Sequence, residues 1–229
     1  MNGAGNVKTA LRYLRANGLC LFCASVLVLS GCMSTTQTRR VHHYALGAPV
    51  AASAGHRQAA AATRGVLKIP RISVPPWLAG TAMYYRLDYR GDGRLSAYGQ
   101  SDWVAPPATL LEPLVQAALA TGGRWRAVVG PHSSATADAS LQLRLQDFSQ
   151  AFASPEQSTG VIDATATLLD NADADVIAQK HFHVAVPASG ADARGGAAAL
   201  RTASHDLARQ IAAWLKTVPV SPRGDGASR

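Results

Sequence analysis

The sequence predicts a single α+β domain in which an antiparallel or mixed β-sheet packs against two amphipathic helices, and three observations predict it. Apolar and polar residues alternate through residues 141–146 and again through 162–168, the period of half-buried strands. Leu110, Leu111, Leu114, Val115, Ala118 and Leu119 recur at helical spacing, as do Leu200, Ala203, Leu207, Ile211 and Trp214. The alternating stretches lie between these two helices in sequence, further strands precede them, and no repeat or second core interrupts the pattern.

The chain opens with Lys8, Arg12 and Arg15 and no acid before an apolar run over residues 19–29, the order of a secretory signal peptide. That run is shorter than the roughly 20 apolar residues needed to cross a bilayer, so it targets rather than spans. Leu29-Ser30-Gly31-Cys32 follows and resembles a bacterial lipobox, in which small residues admit the signal peptidase and the cysteine thiol accepts the lipid. Residues 1–31 are therefore expected to be removed and Cys32 to carry a covalent lipid. Cys20 and Cys23 would leave with the leader, making Cys32 the single cysteine of the mature chain and excluding an internal disulfide. Met33 stands where, in the lipoproteins this resembles, an Asp usually retains the protein at the inner membrane, so the outer membrane is the expected destination.

Cleavage leaves 229 − 31 = 198 residues, enough for one well-cored domain. The formal charge falls from +8 to 19 − 14 = +5 once the three leader cations are gone. No run of Lys or Arg exceeds Arg39-Arg40, so the charge suits anionic lipid or an acidic protein and is too diffuse for nucleic acid.

Residues 32–40 read as a short lipidated stalk, and the domain is expected over 41–217. A first strand is predicted over 41–46 and a loop over 47–65. Val66, Ile69, Ile72 and Val74 surround Pro70, which predicts an edge or bulged strand because proline cannot donate to a central ladder. Pro75-Pro76-Trp77-Leu78 turns a tight corner. Strands over 83–89 and 94–98 are joined by Arg90-Gly91-Asp92-Gly93, a hairpin turn. Thr109 and Glu112 have capping-box spacing at the start of the first helix, with Pro113 in its first turn, and Gly122-Gly123 ends it. Residues 125–129 read as a strand, and 141–152 as a long one whose phase slips at Asp147-Phe148, as at a bulge. Ile162, Ala164, Ala166 and Leu168 should pair with Val176, Ala178, Phe182, Val184 and Val186 across the turn 171–175. After the second helix, residues 218–229 form a Pro/Gly/Ser tail expected to be disordered.

Few residues suggest chemistry. His181 and His183 share one strand face, but no nearby Cys, Glu or third His completes a coordination set, so no metal is expected and solvated histidines are. His42 and His43 point to opposite faces. The acidic stretch 170–175 lacks the glycine and distal Glu of a calcium loop and reads as a turn. Ser204, His205 and Asp206 are adjacent on a helix and cannot form a relay. With Glu112 and Glu156 the only glutamates, no catalytic residues and no cofactor are expected.

His43-Tyr44-Ala45-Leu46, residues 72–80 through Pro75-Pro76-Trp77-Leu78, Met83-Tyr84-Tyr85-Arg86 and Ser101-Asp102-Trp103-Val104-Ala105-Pro106 leading into a Leu-rich helix, all downstream of the lipobox, resemble the ABC-type transport auxiliary lipoproteins associated with MCE-domain lipid transport systems. The order and spacing of these motifs cover nearly the whole mature chain. Val104, Ala105 and Pro106 follow Trp103 where the family typically carries an acid, so no contact of that acid carries over. The resemblance implies a non-enzymatic component that docks an MCE transport complex, with its ATPase and permease, at the periplasmic face of the outer membrane. Trp77, Leu78 and Trp103, at corners beside prolines, are then the first choice for a partner surface, against a competing role in capping the core. A homo-oligomer is expected, as a symmetric collar would match a ring-like conduit. An envelope assembly factor and a lipid-anchored enzyme remain the alternatives, the latter disfavoured by the scattered acids.

Overall fold

The computed structural model describes residues 40–48 and 64–219. The leader, Cys32, most of the loop 47–65 and most of the tail lie outside the described residues. Within them, eight strands form one mixed sheet: β1 (His42–Tyr44), β2 (Arg64–Lys68), β3 (Ala82–Leu87), β4 (Leu95–Trp103), β5 (Trp125–Val129), β6 (Ala139–Phe152), β7 (Ser158–Asp170) and β8 (Val176–Pro187). Two helices, α1 (Pro107–Thr121) and α2 (Ala193–Thr217), complete the α+β architecture that the sequence predicts.

β6 organises the sheet. Leu141, Leu143 and Leu145 are buried while Gln142, Arg144 and Gln146 face out, and the ladder to β7 shifts register between Leu145 and Asp147, so the predicted bulge is present. Beyond the bulge, residues 148–152 are buried on both faces. On one side of β6 run β7 and then β8, both antiparallel. On the other, β2 lies parallel to its start and β3 parallel to its end, with Ser73 bridging to Arg144 between them. β5 flanks β2, and β4 and β1 extend the sheet beyond β3.

Several expectations are corrected. β2 lies between β5 and β6, so it is not an edge strand; it ends at Lys68, before Pro70, and the extended segment onward is tied in by the Ser73 N–H to the Leu143 carbonyl at 2.9 Å. The hairpin between β3 and β4 is as predicted, with Gly91 at φ 65 in the left-handed region. β4, however, runs on to Trp103, which therefore ends a strand rather than sitting in a loop corner. Helix α1 starts two residues before Thr109, because Pro107 at its first position is pre-organised for the helix. No side chain caps it, and Glu112 instead accepts the N–H of Ile72 at 3.2 Å. Pro113 is thus in the second turn, on an exposed face where water can serve the carbonyl it leaves free. A second bulge, between Leu168 and Leu169 in the pairing with β8, turns Val176 outward to 61% exposure while Phe182 and Val184 stay buried.

Both helices cover one face of the sheet. The N-terminal half of α2 presses on β7 at Gly160, where a Cβ would fall 2.8 Å from the backbone N of Leu200, so only glycine admits the helix there. Among the described residues every member of the apolar core lies between Leu46 and Val218, within the compact unit that begins at Arg40. Val218, expected in the tail, is 6% exposed and belongs to that core.

Candidate functional site

A groove of about 880 Å3 runs between α1 and α2, within the range of ligand clefts. Its floor holds the buried Leu114 and Ala208, and its walls are Ala117, Ala118, Ala212 and Ala213. Small side chains at the crossing leave the channel open and apolar. One edge is cationic, since Arg209 and Lys216 line it from exposed positions and the Lys216 chain lies beside Gly122.

One end of the groove is pinned. Arg124, just after α1, donates Nη1 to the carbonyl of Leu215 and Nη2 to that of Val218, satisfying carbonyls that the end of α2 leaves without helical partners. At the other end, His205 Nε2 lies 3.3 Å from the carbonyl oxygen of Leu46. Asp206 accepts from Arg209 in an ion pair. Ser204, buried, donates to the Leu200 carbonyl at 2.7 Å, so the Ser204-His205-Asp206 run is spread over three separate contacts. This arrangement can hold an elongated apolar group beside an anionic one.

The residues expected to form a partner surface occupy different environments. Trp103 is 1% exposed, packed edge-on against Phe148 at 5.3 Å and Tyr44 at 6.5 Å, and Leu78 is also 1% exposed. Both are corrected to core positions, because β4 continues through Trp103 and the turn Pro76–Leu78 directs Leu78 inward. Trp77 alone of the three is partly exposed, held edge-to-face on Tyr84 at 5.3 Å. Tyr85 packs instead on Tyr98 and Phe152.

His181 and His183 are exposed, and both approach Asp163, at 3.5 Å and 2.8 Å from its Oδ1. The sequence reading missed this carboxylate because it comes from β7, in direct register with His183. Among the described residues no group of three or more His, Cys, Asp or Glu is placed to hold a metal. The acidic stretch is a hairpin turn, with the Ala172 N–H on Asp170 Oδ1 at 2.8 Å and the Asp170 N–H on the Asp175 carbonyl at 2.9 Å. No described helix is long and apolar enough to cross a membrane.

The fold is an α+β scaffold with an open apolar groove and ionisable side chains dispersed around it. A family model described as ABC-type transport auxiliary lipoprotein component matches residues 44–212, and the chain belongs to that family. A solved protein from Xanthomonas campestris is similar at 24% identity and TM-score 0.59, over 66% of this chain and 84% of that one. An uncharacterized protein of known structure is similar at 16% identity and TM-score 0.60, over 77% and 99%. Both likenesses concern the fold. No curated protein matches the chain.

Proposed function

We propose that this protein is a non-enzymatic, lipid-anchored docking component of an ABC-type intermembrane lipid transport system, stationed at the periplasmic face of the outer membrane and engaging an MCE-domain protein. The observation that carries the reading is the family match over residues 44–212, which takes in every strand but part of β1 and most of α2. In this reading residues 1–31 are the cleaved signal peptide, Cys32 holds the lipid, 32–40 tether the domain, 41–217 form it and 218–229 trail from it. The lipid is covalent, and no other cofactor is required. In this reading the partly exposed Trp77 meets the partner, while Leu78 and Trp103 are buried and serve the core. Aromatic side chains with one accessible face are favoured anchors at interfaces. A symmetric ring of copies would suit a conduit of the same symmetry.

The test is affinity purification from solubilised envelopes with the wild-type chain, Cys32→Ala and Trp77→Ala, followed by mass spectrometry. Recovery of an MCE-domain protein with its ATPase and permease, reduced by Trp77→Ala, supports the reading. Recovery of outer-membrane assembly components with no MCE-domain protein overturns it in favour of an assembly factor. Native mass spectrometry showing only monomer would remove the ring.

A further inference from the structure

The exposed face of α2 carries a line of cations. Along α2, Arg194, Arg201, Arg209 and Lys216 are all exposed and spaced seven, eight and seven residues apart. At 100° per residue they fall within about 80° of arc and extend about 33 Å along the helix. Among the described residues only Arg209 of the four forms an ion pair, with Asp206. The neighbouring α1 contributes one charged residue, Glu112, whose carboxylate is engaged by the backbone of Ile72. Most acids lie elsewhere: Asp88 and Asp92 at the β3–β4 turn, Asp170, Asp173 and Asp175 at the β7–β8 turn, and Asp163 on β7.

We infer that the helical layer is a membrane-facing surface, in which the cations of α2 lie against anionic lipid headgroups and the groove between α1 and α2 accepts apolar lipid chain beside them. Charge complementarity selects this occupant. A line of like charge whose one interleaved acid, Asp206, is already paired with Arg209 meets a continuous sheet of phosphodiesters in any register, whereas an acidic protein would have to match seven-residue spacings over the full length of the helix. Guanidinium groups bind phosphate oxygens in pairs, which suits three of the four cations. The apolar groove lies on the same side, with Arg209 and Lys216 on its edge, so head and chain of one amphiphile are served together. The inference stands apart from lipidation of Cys32 and from the docking partner. It also leaves Trp77, which sits in the turn between β2 and β3, for that partner.

The experiment is co-sedimentation of the chain from Arg40 onward, the compact unit that holds the core, with vesicles of phosphatidylcholine alone or mixed with phosphatidylglycerol. Binding is expected to the anionic vesicles only, and to weaken steeply as salt rises. Each cation near such a surface is worth roughly fivefold in affinity, so Arg194→Gln/Arg201→Gln/Lys216→Gln should weaken binding by roughly a hundredfold. Arg90→Gln/Arg94→Gln/Arg144→Gln removes the same charge from outside the helical layer and should leave most binding intact. Circular dichroism melts confirm that both variants fold. Absence of binding to anionic vesicles, or equal loss in both variants, overturns the proposal. Binding to soluble polyglutamate but not to vesicles overturns it in favour of an acidic protein partner.

Discussion

Tyr98 on β4 donates its hydroxyl to Oε1 of Gln150 on β6 at 2.8 Å, and Gln150, fully buried, donates from Nε2 to the Ser158 hydroxyl at 2.7 Å. This relay gives the buried amide a partner at both its oxygen and its nitrogen, offsetting the cost of desolvating it. Tyr98→Phe leaves the Gln150 oxygen without its donor and should destabilise the fold by about 1–3 kcal/mol, read from urea unfolding. Burial, and then the neighbouring Tyr85, Asp192 and Tyr44, push the Tyr98 phenol above its ordinary range. The neutral phenol therefore contributes stability that is complete below the ordinary tyrosine value near 10 and lost as pH rises through the folded value. Wild type should lose stability in that alkaline window more steeply than Tyr98→Phe.

Trp103 separates packing from recognition. Trp103→Ala should cost about 3–5 kcal/mol, since it empties the space against Phe148 and Tyr44. Its indole Nε1 is buried and has no hydrogen-bond partner among the described residues, so Trp103→Phe gives up volume alone and should cost distinctly less. Thermal melts of the two variants rank them; equal losses would show that the indole nitrogen has a partner.

Arg86 and Asp147 form an ion pair where the β6 bulge turns Asp147 toward β3, and Arg86 also donates to Ser149 at 3.0 Å. Burial opposes the guanidinium charge, yet the Asp147 and Asp88 carboxylates outweigh it and hold its pKa above the usual value. Asp147→Ala should cost about 1–3 kcal/mol in chemical denaturation, because the half-buried cation loses its main acceptor. Arg86→Met, which removes the charge and keeps much of the stem, should partly restore stability in the double variant.

Gly160→Ala puts a methyl group against the α2 backbone. A loss of about 1–3 kcal/mol is expected in urea unfolding, with hydrogen exchange rising first in the N-terminal half of α2. An unchanged midpoint would mean that the helix can shift away without loss.

Local chemistry was readable wherever one element decided the outcome. The alternation through Leu141, Leu143 and Leu145 and its slip at Asp147 placed β6 and its bulge, and the Gly91 turn placed the β3–β4 hairpin. The errors arose where another element intervened. β4 reaches Trp103 because Ala82 and β1 pair with its last residues, a partnership invisible in Gly99-Gln100-Ser101. Glu112 has the spacing of a capping residue, but the Ile72 N–H from a distant segment claims it. The groove was illegible for the same reason: alanines 117, 118, 212 and 213 mean little until α1 and α2 lie side by side. The cations of α2 were visible only as charged positions on a helix, since what lies beside them depends on which residues the fold brings alongside.

Arg124 grips the final carbonyls of α2 from just beyond the end of α1, so the two helices are fastened together at that end. Further along α2, His205 meets the Leu46 carbonyl at 3.3 Å, a contact to the chain after β1 rather than to α1. Arg124→Ala should therefore fray the last turn of α2 first, read as faster hydrogen exchange of its final amides than of those beside Gly160.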